Sequence, residues 1–344
     1  MDFLAISDAF VGEEQFRGAA ALLEEKGHRV EVMRWGPATK GTLEGIIRAM
    51  ELRGPTFDSS LREISQRLKG KEALLVDFAP VPAELMDGLK IIGVCRANTS
   101  NVDMKCATAF RIPVIGVAGR NASAVAEFTI GLMIAESRHI ARSHANLSGG
   151  KWVKEYGDDP NEIEGKTVGI IGFGSIGRAV AAKLSGFGCR ILVYDPLVTG
   201  DLGDVTLVPL ETLLKESDFV TVHVKVTEET KNLLGEKQFR MMKPSAYVVN
   251  TARSEVVDQR ALTQVLAESR IRGAALDVFE AEPLPADSPL LKLPNVTLTP
   301  HMAGATQESL SKSPVLLARN VLKYLSGDRD CNIQNKSVLE KAHA

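Results

Sequence analysis

Arg253, Glu282 and His301 each follow a short apolar run by a few positions, after Tyr247–Asn250, Ala274–Val278 and Val296–Thr299 respectively. If those runs are strands of an open parallel sheet, the three side chains stand past the carboxyl ends, where ligands collect. Arginine offers a planar fork for a carboxylate and its neighbouring carbonyl. Histidine exchanges a proton near neutrality, and a carboxylate beside it stabilises the charged ring and fixes its orientation. Hydride transfer between a nicotinamide and a 2-hydroxy acid requires those three groups. Each residue alone also has a plainer reading: a surface ion pair, a satisfied structural histidine, a loop charge ahead of Pro283 and Pro285. Lys225, Asp277 and Glu280 lie at similar positions, and His223 is a rival base.

Gly172-Phe173-Gly174-Ser175-Ile176-Gly177 is a GxGxxG motif in a telling context. It follows the apolar run Thr167–Ile171 and opens the helical pattern from Arg178 to Leu184. The next strand, Arg190–Tyr194, ends in Asp195, eighteen residues after Gly177. Gly172 permits the tight turn, Gly174 lets backbone approach a pyrophosphate, and Gly177 lets helix and strand pack closely. The helix N-terminus offers free N–H groups to phosphates. Asp195 suits the adenosine ribose hydroxyls and repels a 2′-phosphate, favouring NAD over NADP. The alternative is a glycine-rich turn whose aspartate merely caps.

Strands and helices must alternate to position these residues, and they do. The first half reads as strands Asp2–Ser7, Arg29–Trp35, Ala73–Phe78, Ile91–Ala97 and Pro113–Val117, with helical patterns between them. A long helix, Ser123–His144, and a polar connector, Lys151–Gly165, precede a second series of six strands from Val168 to Thr299. Strands separated by helices imply parallel pairing. The last helical pattern, Thr306–Leu325, contains Pro314, which either kinks it or starts a second helix.

The 344 residues suggest two or three domains, and 44% apolar with 24% charged residues exclude disordered and fibrous classes. The balance of 41 basic and 43 acidic residues, net charge −2, calls for neither nucleic acid nor an anionic membrane. The N-terminus lacks a signal-peptide layout, and no apolar run reaches the ~18 residues of a membrane span. Cys95, Cys106, Cys189 and Cys331 are far apart and read as reduced thiols, with no metal motif. A cytoplasmic protein is expected.

From about Ile91 to Ser326 the chain resembles the D-isomer-specific 2-hydroxyacid dehydrogenase family. The matching stretches are VGIIGFGSIGRAVA (168–181), HVKVTEETKNLLG (223–235), MMKPSAYVVNTARSEVVD (241–258), GAALDVFEAEPLP (273–285) and LPNVTLTPHMAGAT (293–306). The resemblance implies the catalytic set Arg253, Glu282 and His301. It assigns the cofactor to Gly172, Gly174, Ser175, Ile176, Gly177, Asp195, His223, Thr230, Thr251, Ala252 and Asp277. His223 becomes part of the cofactor-side wall. The loop 96–103 resembles the one whose backbone N–H groups hold the substrate carboxylate, here Ala97, Asn98 and Thr99 together with Arg253. The implied fold is α/β with two doubly wound domains. A Rossmann NAD-binding domain (121–308) is inserted into a flavodoxin-like substrate domain (1–120 plus 309–344), and the two close over a cleft. The helix Ser123–His144 resembles the family's dimerisation element, so a homodimer is expected.

The chain departs from the family pattern in several places. Ser254 replaces a glycine after the arginine, and Ala97-Asn98-Thr99-Ser100 replaces a glycine–x–glycine loop. Arg96 and Arg120 either meet a second anionic or polyhydroxy group of the substrate or lie on the surface. Residues 40–70 read as extra helix. About 40 residues follow His301, so no added regulatory domain is expected. The expected activity is NAD-dependent reduction of a small 2-oxo acid or oxidation of a 2-hydroxy acid. Phosphoglycerate-, sugar-acid- or phosphite-type dehydrogenases and a non-catalytic NAD(H)-sensing protein are the alternatives.

Overall fold

The computed structural model describes residues 1–157 and 159–339, with the side chain of Leu52 excepted. Asp158, in the expected connector, and residues 340–344, at the end of the expected substrate domain, lie outside the described residues. The chain divides into two compact units, Met1–Arg120 with Gln307–Ala344, and Asn121–Thr306.

The first unit holds β1 (Asp2–Ser7), β2 (Arg29–Arg34), β3 (Ala73–Val76), β4 (Ile91–Val94) and β5 (Val114–Ile115). All pair in parallel, in the order β2-β1-β3-β4-β5. The sheet is apolar on both faces, as a parallel sheet between helices must be. Along β1, Leu4 and Ile6 face one core while Phe3 and Ala5 face the other. The returning helix Ser313–Leu325 covers the second face with Leu317, Ala318 and Val321. Pro314 lies in its first turn, where a missing N–H costs nothing, and a separate short helix, Gln307–Ser311, precedes it. Residues 40–70 form the helices Lys40–Arg53 and Arg62–Arg67.

The second unit holds β6 (Thr167–Ile171), β7 (Arg190–Tyr194), β8 (Val205–Leu207), β9 (Phe219–Val222), β10 (Tyr247–Asn250), β11 (Gly273–Leu276) and β12 (Val296–Leu298). Its order is β12-β11-β10-β9-β6-β7-β8, again all parallel. The sequence reading expects six of these seven strands. It omits β8, a half-exposed three-residue edge strand with no apolar run. The expected single helix Ser123–His144 is two helices, Ala122–Ser137 and Ile140–Ser148. His139 separates them with φ 55, a left-handed turn made without glycine. The first of the pair packs Ala126, Ile130 and Met133 against the sheet.

Candidate active site

In the second unit the strand order reverses between β6 and β9, and this switch point is where an open α/β sheet binds its ligand. The glycine motif sits there. Gly172 adopts φ 92, and a Cβ on it would lie 2.7 Å from the His223 carbonyl oxygen. A Cβ on Gly177 would lie 2.1 Å from the Gly172 carbonyl oxygen, so only glycine allows this helix to meet its strand. Gly174 differs: a Cβ there would meet no protein atom within 4 Å. The helix Ser175–Leu184 starts at Gly174 with no side-chain cap, so the N–H groups of its first turn face open space.

Asp195, at the end of β7, accepts hydrogen bonds from the N–H groups of Phe173 (2.8 Å) and Leu197 (2.9 Å). One carboxylate thus ties the glycine turn to the β7 exit and keeps lone pairs for further donors. At the β9 exit, His223 Nε2 lies 3.0 Å from the Thr221 hydroxyl, while Nδ1 is buried without a partner among the described residues. The residue is half-buried with Nδ1 shut off from solvent, and burial pushes the imidazole down to about 3. His223 is therefore a neutral ring at physiological pH and cannot serve as a cationic proton donor. Thr230 accepts from the Thr227 N–H (2.7 Å) and donates to the Lys225 carbonyl (2.6 Å), closing the loop after His223. The uncapped helix, the open space over Gly174 and the unpartnered His223 Nδ1 suit a dinucleotide.

The three candidate catalytic residues follow neighbouring strands β10, β11 and β12. Asn250, at the end of β10 and 2% exposed, accepts from the Ala252 N–H (3.0 Å) and donates to the Arg253 carbonyl (2.9 Å). It shapes the loop that presents the exposed Arg253, whose guanidinium donates to the Ala252 carbonyl (2.6 Å). Thr129 gives its one hydroxyl proton to the Val125 carbonyl (2.7 Å), so it accepts from Thr251 (2.8 Å), which pins the loop to the helix behind it.

His301 Nδ1 lies 2.7 Å from Glu282 Oε2. A carboxylate only accepts, so Nδ1 carries the proton there and Nε2 is left for proton exchange. Glu282 is held in turn by the Phe279 N–H (3.1 Å). The pair remains open to solvent, His301 being 48% and Glu282 32% exposed. His301 has φ 51, and its loop is fastened by Asp277. That fully buried carboxylate accepts from the Thr299 hydroxyl (2.6 Å) and the N–H groups of Met302 (3.0 Å) and Ala303 (2.8 Å). Asp277 thus orients His301 through backbone. The sequence reading missed the roles of Asn250, which lies inside the 241–258 stretch but acts through backbone groups that only the fold brings near, and of Thr129, which lies in no motif.

In the first unit the turn Ala97–Ser100, exposed at Ala97 and Asn98, follows β4. The N–H groups of Ala97, Asn98 and Thr99 make no hydrogen bond among the described residues, and Asn98 Oδ1 accepts from the Ser100 N–H (3.0 Å). Arg96 is neither on the surface nor free: it is 7% exposed, and its guanidinium lies 3.6 Å from the centre of the Phe78 ring. Arg120 donates to the Ser313 hydroxyl (2.9 Å) and lies 3.9 Å from Asp77.

Residues 130–303 match the model of the D-isomer specific 2-hydroxyacid dehydrogenase NAD-binding domain. A glyoxylate reductase of Korarchaeum cryptofilum is 41% identical over 82% of this chain and 88% of its own length. The chain belongs to this family. A hydroxypyruvate reductase of Thermotoga maritima is 40% identical over 84% of this chain and 96% of its own. A solved D-lactate dehydrogenase with NAD+ from Lactobacillus jensenii superposes with a TM-score of 0.72 at 26% identity, covering 97% and 99%. The protein is accordingly an NAD-dependent oxidoreductase of the 2-hydroxyacid dehydrogenase type, acting on a CH–OH group.

Proposed function

We propose that this dehydrogenase works as a reductase of small 2-oxo acids, with Arg253, Glu282 and His301 as its catalytic residues. The observation that carries this is the His301–Glu282 pair at 2.7 Å, on the loops after β12 and β11, the strands that follow β10 and its Arg253 loop in the sheet. Arg253 grips the substrate carboxylate and polarises the keto oxygen. NADH, when bound, supplies the hydride that adds to the keto carbon. His301 Nε2 gives its proton to the keto oxygen while Glu282 stabilises the imidazolium and holds the ring, leaving a 2-hydroxy acid and a neutral His301. The reverse oxidation uses the neutral ring as base.

In this reading the N–H groups at Gly174, Ser175 and Ile176 take the pyrophosphate, with Gly172 and Gly177 allowing the approach. Asp195 takes the adenosine ribose hydroxyls. His223, Thr230, Thr251, Ala252 and Asp277 line the nicotinamide side. The free N–H groups of Ala97, Asn98 and Thr99 bind the substrate carboxylate. Relatives named glyoxylate reductase and hydroxypyruvate reductase support two- and three-carbon substrates. Ile140, Leu147, Trp152 and Val153 are large exposed apolar side chains on and just after the helix Ile140–Ser148 and support a homodimer through this face. Four free cysteines and a net charge of −2 support a cytoplasmic enzyme without nucleic-acid or membrane partners. No helix among the described residues is long and apolar enough to cross a membrane.

The test is loss of NADH absorbance with purified protein and a panel of glyoxylate, hydroxypyruvate, its phosphate and four-carbon sugar-derived acids. Turnover of the unphosphorylated acids that disappears in Arg253→Ala, with NADH still bound, supports the reading. Preference for the phosphate points to the phosphoglycerate type. NADH binding with no turnover of any acid contradicts it and favours a sensor.

A further inference from the structure

The turn Ala97–Ser100 is exposed at Ala97 and Asn98 and half-buried at Thr99 and Ser100, yet both of its anchors are buried polar residues, Arg96 at 7% and Asn101 at 0% exposure. Burying an arginine and an asparagine beside a four-residue loop is costly unless their bonds are used. Here they are. Arg96 Nε and one terminal nitrogen reach the Asp77 carbonyl (3.3 and 3.2 Å), and that same nitrogen reaches Asn101 Oδ1 (3.1 Å). Asn101 Nδ2 donates to the carbonyls of Asp77 (3.3 Å) and Ala79 (2.8 Å). The Phe78 ring lies against the guanidinium, and the backbones of Val81 and Asn101–Asp103 pair in parallel at 2.7 and 3.0 Å. The exits of β3 and β4 are thereby joined into one element. The Arg96 carbonyl is fixed in turn by the Val117 N–H (3.0 Å). Arg96 Nε also lies 3.4 Å from Asp77 Oδ1 as an ion pair, but among the described residues neither Asp77 carboxylate oxygen accepts a hydrogen bond, and the guanidinium's hydrogen bonds go to the Asp77 carbonyl and to Asn101. Its fork serves the loop, which a lysine could not copy.

We propose that Arg96 is the positioning residue of the 97–100 turn, holding its free N–H groups in a fixed cradle through Asn101 and Phe78 and so setting the affinity for the substrate carboxylate. The proposal rests on the reading that this turn receives the carboxylate. It also fixes the role of Arg96 as a loop clamp, which leaves it unable to bind a second anionic group of the substrate.

The test compares wild type with Arg96→Lys and Asn101→Ser in the full chain. The measurements are steady-state kinetics at saturating NADH, NADH affinity, and hydrogen exchange of the amides at 97–100. Arg96→Lys keeps the charge beside Asp77 and loses the fork. Losing charge-assisted bonds that hold a binding loop raises KM for the 2-oxo acid about tenfold to a hundredfold, with kcat nearly unchanged. NADH affinity stays the same and amides 97–100 exchange faster. A role in folding alone would lower the active fraction and the melting temperature without moving KM. Unchanged KM and unchanged exchange in the variants overturn the proposal. If one variant does not fold, the other decides. If wild type reduces no 2-oxo acid, the carboxylate reading has failed, and the exchange result still decides whether Arg96 holds the turn.

Discussion

At the level of single side chains, environment rather than residue type separates the two histidines at strand ends. His301 has a carboxylate on Nδ1 and an open Nε2, whereas His223 is a half-buried ring that burial keeps neutral. Asp77 is the other residue whose surroundings have consequences. Burial pushes its carboxyl up to about 6, against the pull of Arg96; Asp8 adds to the rise and Arg120 opposes it. A raised acid binds its proton more tightly in the folded chain than in the unfolded one. Stability from this group is therefore complete below about pH 4 and is lost as pH rises through about 6, by ~3 kcal/mol for a shift of about two units. Urea denaturation of Asp77→Asn between pH 4 and 8 should lack that decline. A decline identical to wild type would show that Asp77 ionises without cost.

Among the elements, the turn after β6 tolerates the least change. A methyl group on Gly177 meets the Gly172 carbonyl oxygen at 2.1 Å, so Gly177→Ala must push the helix off the strand. We expect a loss of about 1–3 kcal/mol in stability, as for other overpacked sites. NADH affinity should fall with it, read by fluorescence titration. Gly174→Ala, facing open space, should cost little stability but weaken NADH binding. Much of this turn was legible in the sequence, because its glycines, preceding strand and following aspartate have fixed spacing. The strand ends carrying Arg253, Glu282 and His301 were legible for the same reason: buried parallel strands read as uninterrupted apolar runs. The break at His139 was not, since nothing in the local sequence marks a left-handed turn without glycine. Asn101 and Asn250 were not either, because their value lies in carbonyls that only the fold brings near.

For the whole molecule, two parallel sheets of different strand order arise from one chain whose ends share a unit. The sequence carries the alternation of strands and helices, but strand order depends on long-range pairing. An exposed apolar face on the helix Ile140–Ser148 and the segment after it is the feature that self-association would use. Leu147→Glu with Trp152→Glu should convert a dimer to a monomer in size-exclusion chromatography with light scattering. A wild-type monomer would contradict the dimer.

The central claim is that His301, supported by Glu282, transfers the proton during reduction of a 2-oxo acid. Its most direct test is NADH oxidation by His301→Ala beside wild type, with NADH affinity measured in parallel. A general acid of this kind contributes about 10²- to 10⁴-fold, so kcat should fall by that factor while NADH binding holds. Turnover in His301→Ala equal to wild type would contradict the account.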